Sequence, residues 1–208
     1  MKPLPYLSKY LVFNVLHLCS CFILSYCGAN TLHLMDGTST AEIINGDVFF
    51  EIIEPSELEY TYRIRPAKGF GAPFNSSFHI KNVPLIPVLP KNGCKPPDNL
   101  DDVEGNVAFI ERGDCSFKRK ALIAEQAGAR AAIISDVTDS KDEYFIEMID
   151  DHTIDEVNIP AGYLMGKNGL MILNTLRRLR RTYALINLPV NLTYTPVHKM
   201  NQPPWMGW

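Results

Sequence analysis

Residues 107–117 constrain the fold more than any other part of this chain. They read Val107-Ala108-Phe109-Ile110-Glu111-Arg112-Gly113-Asp114-Cys115-Ser116-Phe117, and Ile133-Ile134-Ser135-Asp136 follows after a helical stretch. A short, unbroken apolar run marks a strand buried on both faces. Arg112-Gly113-Asp114-Cys115 then makes a tight turn, because glycine accepts backbone angles that other residues resist. Ser116 is placed to cap a helix, since its hydroxyl can accept an orphan backbone N–H. Phe117, Ala121, Ile123 and Ala124 carry helical spacing through Ala127, and Gly128 stops it. A second buried strand covers residues 130–135. The strand–helix–strand unit predicts parallel pairing through a right-handed crossover, hence an α/β fold. No group suited to catalysis sits on it, so it reads as a scaffold that presents a turn.

The rest of the chain adds strands around this unit. Val48–Glu54 is short, β-branched and aromatic, and residues 59–65 alternate apolar with charged, as in a half-buried strand. Residues 81–90 are apolar but carry Pro84, Pro87 and Pro90, which predicts an edge strand or an extended connector. Residues 92–105 form a polar loop whose Asp98, Asp101, Asp102 and Glu104 lack the spacing of a calcium-binding EF-hand and read as solvated. Residues 136–158 are acidic, with a short strand or helical turn expected at 144–149. A buried strand at 159–165 leads into a helix at 166–181, with Leu170, Leu173, Leu176 and Leu179 expected on its inner side. Arg177, Arg178, Arg180 and Arg181 gather at its end, where positive charge complements the helix dipole; a basic docking patch is the alternative. Residues 183–189 form a last strand. The Pro- and Trp-rich end of the tail, residues 202–208, is expected to fold back on the body, with a recognition peptide as the alternative.

The N-terminus belongs to a different class. Lys2 and Lys9 precede an apolar run at residues 10–26, and small residues follow, as in a secretory signal. Cleavage after Ala29 is expected, with cleavage after Cys27 or an uncleaved anchor as alternatives. Residues 30–47 read as a loose arm, residues 48–190 as the domain with its core at 83–190, and residues 191–208 as a tail. Cys94 and Cys115 remain after the signal leaves, an even pair in an oxidising compartment, which predicts one disulfide worth roughly 3 kcal/mol by loop closure. Two cysteines without a nearby histidine make a poor zinc site. Asn75-Ser76-Ser77 and Asn191-Leu192-Thr193 are acceptor sequences for N-glycans at Asn75 and Asn191. The expectation is secretion to the extracellular space through the endoplasmic reticulum, with no stable membrane insertion after cleavage. With 208 residues and a net charge of −3, the chain fits one ordinary domain and lacks the basic face that nucleic acid needs.

Residues 106–117, the helix through Ala127-Gly128-Ala129, Ala131-Ala132-Ile133-Ile134-Ser135-Asp136, Ile159-Pro160-Ala161 and the start of the Gly166 helix together resemble the protease-associated (PA) domain. The resemblance covers about residues 83–190. It implies an α/β fold with two β-sheets and flanking helices. PA domains usually accompany a peptidase, a sorting receptor or a ubiquitin ligase, and with so short a tail no such host is expected here. In sorting receptors with this domain the equivalent turn lies by a peptide-binding edge, which makes Arg112, Gly113, Asp114, Ser135 and Asp136 candidate contacts with a partner.

Other chemistry finds little support. There is no His-Glu-x-x-His motif, and residues 37–41 lack the strand and final glycine of a nucleophile elbow. His33, His79, His152 and His198 are scattered. Asp150, Asp151, His152 and Asp155 form the densest polar group and read as an exposed acidic loop. Arg112-Gly113-Asp114 is also the tripeptide that integrins bind, although a tethered turn suits that role poorly. The expected function is a secreted, non-catalytic module binding a protein or peptide, without metal or cofactor. The alternatives are a membrane-anchored accessory subunit of a protease or sorting complex, and a hydrolase using residues 150–155.

Overall fold

In the computed structural model, residues 46–75, 77–137, 146–192, 195 and 199–206 are described. The expected signal at residues 1–29, almost all of the expected N-terminal arm, residues 37–41, Tyr144, His33, His198 and the two final tail residues lie outside them.

Seven strands close into one barrel: β1 (Val48–Glu54), β2 (Thr61–Pro66), β3 (Ile80–Pro87), β4 (Val107–Glu111), β5 (Ala131–Ser135), β6 (Ala161–Leu164) and β7 (Ala184–Val190). Around the barrel the order is β1-β2-β6-β5-β4-β3-β7. Among the described residues a 3-10 turn (Ser56–Leu58) and three α-helices stand between them: α1 (Leu100–Val103), α2 (Phe117–Gln126) and α3 (Gly166–Leu179). Strands β3, β4, β5 and β6 run parallel, and the remaining pairings are antiparallel. The mixed α/β fold agrees with the sequence reading, but the two expected sheets are one. Strand β2 pairs with β6 through Arg65 and Tyr163, and β7 bridges β1 and β3, so no edge separates two layers.

Two-sided burial explains the apolar runs. Val107 and Phe109 of β4, with Ala131 and Ile133 of β5, face one apolar cluster shared with Ile172 and Leu176 of α3. The alternate residues Ala108, Ile110, Ala132 and Ile134 face a second cluster, built against Ala121 and Ala124 of α2. Successive strand side chains point to opposite faces, so a strand covered on both sides must be apolar throughout.

Strand β3 is not an edge. It pairs with β4 on one side and β7 on the other. Pro84 precedes the ladder to β4, which begins at Leu85, and lies level with Leu185 of β7, while Pro87, the last residue of the strand, lies level with Phe109 of β4. Helix α2 starts at Ser116, whose Oγ accepts the Arg119 N–H at 3.1 Å, and its chain turns away at Gly128. Parallel pairing of β4 with β5 agrees with the predicted crossover.

Of the expected leucine row, helix α3 buries Leu176 and packs Leu173 against the core, but most of its buried residues lie outside that row. Asn168, Gly169, Ile172, Thr175 and Leu176 are inside, while Leu170, Leu173 and Leu179 are half-buried. Leucines spaced by three drift around a helix of 3.6 residues per turn, whereas the buried set follows the turn. Gly169 is required there: a Cβ would lie 2.1 Å from Ser135 Oγ and 2.7 Å from Ser135 Cβ. The described part of the tail packs on the body. Trp205 Nε1 donates to Asn168 Oδ1 at 2.9 Å and its ring meets Tyr60 edge-on, while the Thr61 N–H donates to Asn201 O at 2.7 Å. Among the described residues, no helix is long and apolar enough to cross a membrane.

Candidate functional site

The carboxyl ends of β4 and β5 open onto residues 112–116 and Asp136. In parallel strand sets this end is where loops are free to gather binding groups. The Arg112 N–H extends the ladder by donating to Ser135 O at 2.9 Å. The Arg112 guanidinium pairs with Asp136 at 2.9 Å and lies 5.9 Å over the Phe117 ring, which packs edge-on to Tyr163. The backbone then turns through Gly113 (φ 114°) and Asp114 (φ 66°), a left-handed path that glycine takes freely and aspartate tolerates. Asn92 Nδ2 donates to the Asp114 carboxylate at 2.7 Å, and the Cys115 N–H donates to Gly113 O at 2.8 Å.

Two braces fix this turn from beneath. Cys115 is joined to Cys94 by the expected disulfide. Lys120, on the first turn of α2, is fully buried. Its ammonium donates to Gly113 O at 2.6 Å and to Asn92 O, and lies 3.5 Å from Cys94 Sγ. Burial pushes its pKa down, and the nearby Asp114 carboxylate works against that shift. The backbone carbonyls take the place of water around the cation. What remains open is the upper surface. Gly113 and Asp114 are exposed, and among the described residues their two N–H groups have no acceptor.

The acidic loop is a third brace. Asp151 accepts from Ser116 Oγ, and from the Thr153 N–H and hydroxyl at 3.0 and 2.7 Å. These donors pull its pKa down to about 2. Asp150 pairs with Lys118 at 2.9 Å and accepts the His152 N–H at 2.8 Å, which also holds it below the ordinary carboxylate range. Lys118 in turn donates to Thr153 O at 2.8 Å. The hydrogen bonds of both carboxylates thus go to the start of α2 and to their own loop. Among the described residues, no group of three or more His, Cys, Asp and Glu side chains is placed to hold a metal. Ile149 and Ile154 border this loop and are 64% and 96% exposed.

The structure gathers Arg112, Gly113, Asp114 and Asp136 at one surface, but not the side chain of Ser135. Ser135 is fully buried, with its Oγ 3.4 Å from Met165 O, so it packs the β5–α3 contact. Both charged ends of the Arg-Gly-Asp tripeptide are held by the body of the protein, by Asp136 and by Asn92. Lys120 and Asn92 were not expected at the site. Lys120 stands three residues after Phe117 and four before Ala124, on the apolar stripe of α2, and a lysine in a stripe is the signal that could have found it. Asn75 and Asn191 are exposed, and Asn191 directly follows β7; Ser76 and Thr193 lie outside the described residues. A recess of about 520 Å³ lies elsewhere, lined by residues such as Pro66, Gly69, Phe70 and Phe74. Its one ionisable lining residue, Asp47, is paired with Arg63 and Arg65 at 3.3 Å each.

The PA domain family matches residues 81–172, a span that holds the turn, the disulfide and Lys120. A PRADC1-like protein of Drosophila melanogaster is 55% identical over 172 residues, covering 82% of this chain and 87% of that one. An ER degradation-enhancing alpha-mannosidase-like protein 3 of Homo sapiens is 30% identical over 102 residues, covering 47% of this chain but 11% of its own length. Among solved structures, a zinc aminopeptidase from Bacillus subtilis is similar at a TM-score of 0.45 and 20% identity, across 68% of this chain and 29% of that one. On the family match over the braced turn, and on a relative alike along most of both chains, this chain belongs to the PA-domain family.

Proposed function

We propose that this protein is a secreted, N-glycosylated PA-domain protein without catalysis, which binds a protein or peptide at the turn of residues 112–115. One observation carries the reading: Gly113 and Asp114 are exposed, and among the described residues their N–H groups have no acceptor, on a turn locked from below by the disulfide and Lys120. Two successive free N–H groups suit the carbonyls of an extended segment or a terminal carboxylate. Arg112 keeps further donors beyond the one directed at Asp136, and Ile149 and Ile154 offer apolar contact nearby. A rigid turn loses little freedom on binding, which favours affinity from few contacts. The basic–apolar–small N-terminus and the disulfide support secretion. Exposed Asn75 and Asn191 support glycan attachment.

Peptide display against the folded, secreted protein tests the reading, with R112A/D114A for comparison. Peptides that bind the wild type and lose at least tenfold in affinity for the variant are the expected result. Peptides that bind both equally place recognition away from the turn and overturn it.

A further inference from the structure

Helix α3 ends on Arg177 and Arg178, and the chain continues through Leu179 to Arg180 and Arg181. All four arginines are exposed, in a chain whose net charge is −3. A helix dipole is answered by one or two cations in the last turn, so four exceed that need. Arg181 pairs with Glu54 at 3.0 Å, and Arg177 donates to the neutral Asn174 Oδ1 at 2.9 Å. Among the described residues, Arg178 and Arg180 have neither ion pair nor hydrogen bond from their side chains. Arg180 also sits at φ 53°, in the left-handed region where a helix end favours glycine or asparagine. A β-carbon is disfavoured there, so stability alone does not account for this arginine.

We infer that this end of α3 is a docking surface for a sulfated polysaccharide. Planar guanidinium groups match the oxygens of sulfate and carboxylate in paired hydrogen bonds and shed water readily. Exposed ion pairs are individually weak, so a polymer of repeated anions is needed to sum them. Single-stranded nucleic acid is gripped by series of stacking aromatics, whereas residues 177–183 hold a single aromatic, Tyr183, 41% exposed. The patch is also remote from the turn. Helix α3 leaves β6 where Leu164 is level with Ser135, at the carboxyl end of β5. The chain re-enters the barrel at Ala184, level with Leu85 and through it with Val107, the first residue of β4. The arginines therefore lie toward the amino ends of the parallel strands and the turn at their carboxyl ends. This surface stands or fails independently of recognition at the turn.

Binding of the full secreted protein to heparin in about 0.15 M salt tests the inference, beside R178A/R180A, R180G and the equal-charge control K91A/K95A at the opposite end of the barrel. The expected result is saturable binding, weakened on the order of tenfold in R178A/R180A and unchanged in K91A/K95A. R180G should bind more weakly while melting no lower than the wild type, which separates recognition from folding. The inference is overturned if the wild type does not bind, if both double variants weaken alike, or if duplex DNA of equal charge binds as tightly as heparin.

Discussion

The ammonium of Lys120 lies 2.6 Å from the carbonyl oxygen of Gly113, beneath the turn that carries Arg112 and Asp114. A helix residue thus holds the backbone of a loop that follows a different element, and the surface above it is shaped by a cation that solvent does not reach. Lys120→Met keeps most of the side-chain volume but leaves the Gly113 and Asn92 carbonyls without this donor. The expected loss is about 1–3 kcal/mol, with faster amide exchange at residues 113–115. Urea unfolding and hydrogen exchange check it; a neutral substitution would show that the ammonium is not a brace.

The disulfide acts on the same turn by another route. Cys94 and Cys115 are 21 residues apart, so opening their loop should cost about 3 kcal/mol on the chain-entropy account. C94S/C115S is expected to lower the unfolding free energy by that amount while the barrel still folds. Because Lys120 contacts both the Cys94 sulfur and Gly113 O, its substitution and the loss of the disulfide should be non-additive.

Local signals made the β4–α2–β5 unit legible. An unbroken apolar run, a capping Ser116 and a stopping Gly128 each act within a few residues of their own position. Closure of the barrel was not legible, since Arg65 and Tyr163 pair across most of the domain and nothing in either segment names the other. Proline content argued for an edge at β3, but the ladder to β4 starts after Pro84. The inner face of α3 was read in part, at Leu176 and Leu173, because leucines drew attention, while the close approach is made by Gly169 beside Ser135. At the turn, Arg112 and Asp114 were legible as residues, but their braces Lys120 and Asn92 come from elements that only the fold brings together.

Gly169 gives a sharp packing test. A Cβ there would meet Ser135 Cβ at 2.7 Å, and a strand side chain so close to the backbone has nowhere to swing. Gly169→Ala should destabilise by roughly 1–3 kcal/mol, and Ser135→Gly in the same chain should recover part of the loss. Thermal unfolding of the two single variants and the double variant measures the coupling; simple additivity would contradict the contact.

Asp151 makes the clamp on α2 sensitive to acid. Its folded pKa of about 2 lies below the ordinary carboxylate value, so the folded state binds fewer protons than the unfolded chain at low pH. The stabilisation is complete above the unfolded pKa, near pH 4, and is lost as pH falls through about 2. Melting of wild type against D151N should show a gap at neutral pH that closes toward pH 2. A gap independent of pH would mean that the Ser116 and Thr153 bonds do not act through the carboxylate.

The central claim is recognition at the turn, and proximity labelling by the tagged, secreted protein on living cells tests it most directly. Wild type is compared with R112A/D114A, after matched secretion and melting show both to be folded. The account predicts a defined set of labelled proteins that the wild type enriches and the variant loses. The same set labelled by both would contradict it and move the binding face off the turn.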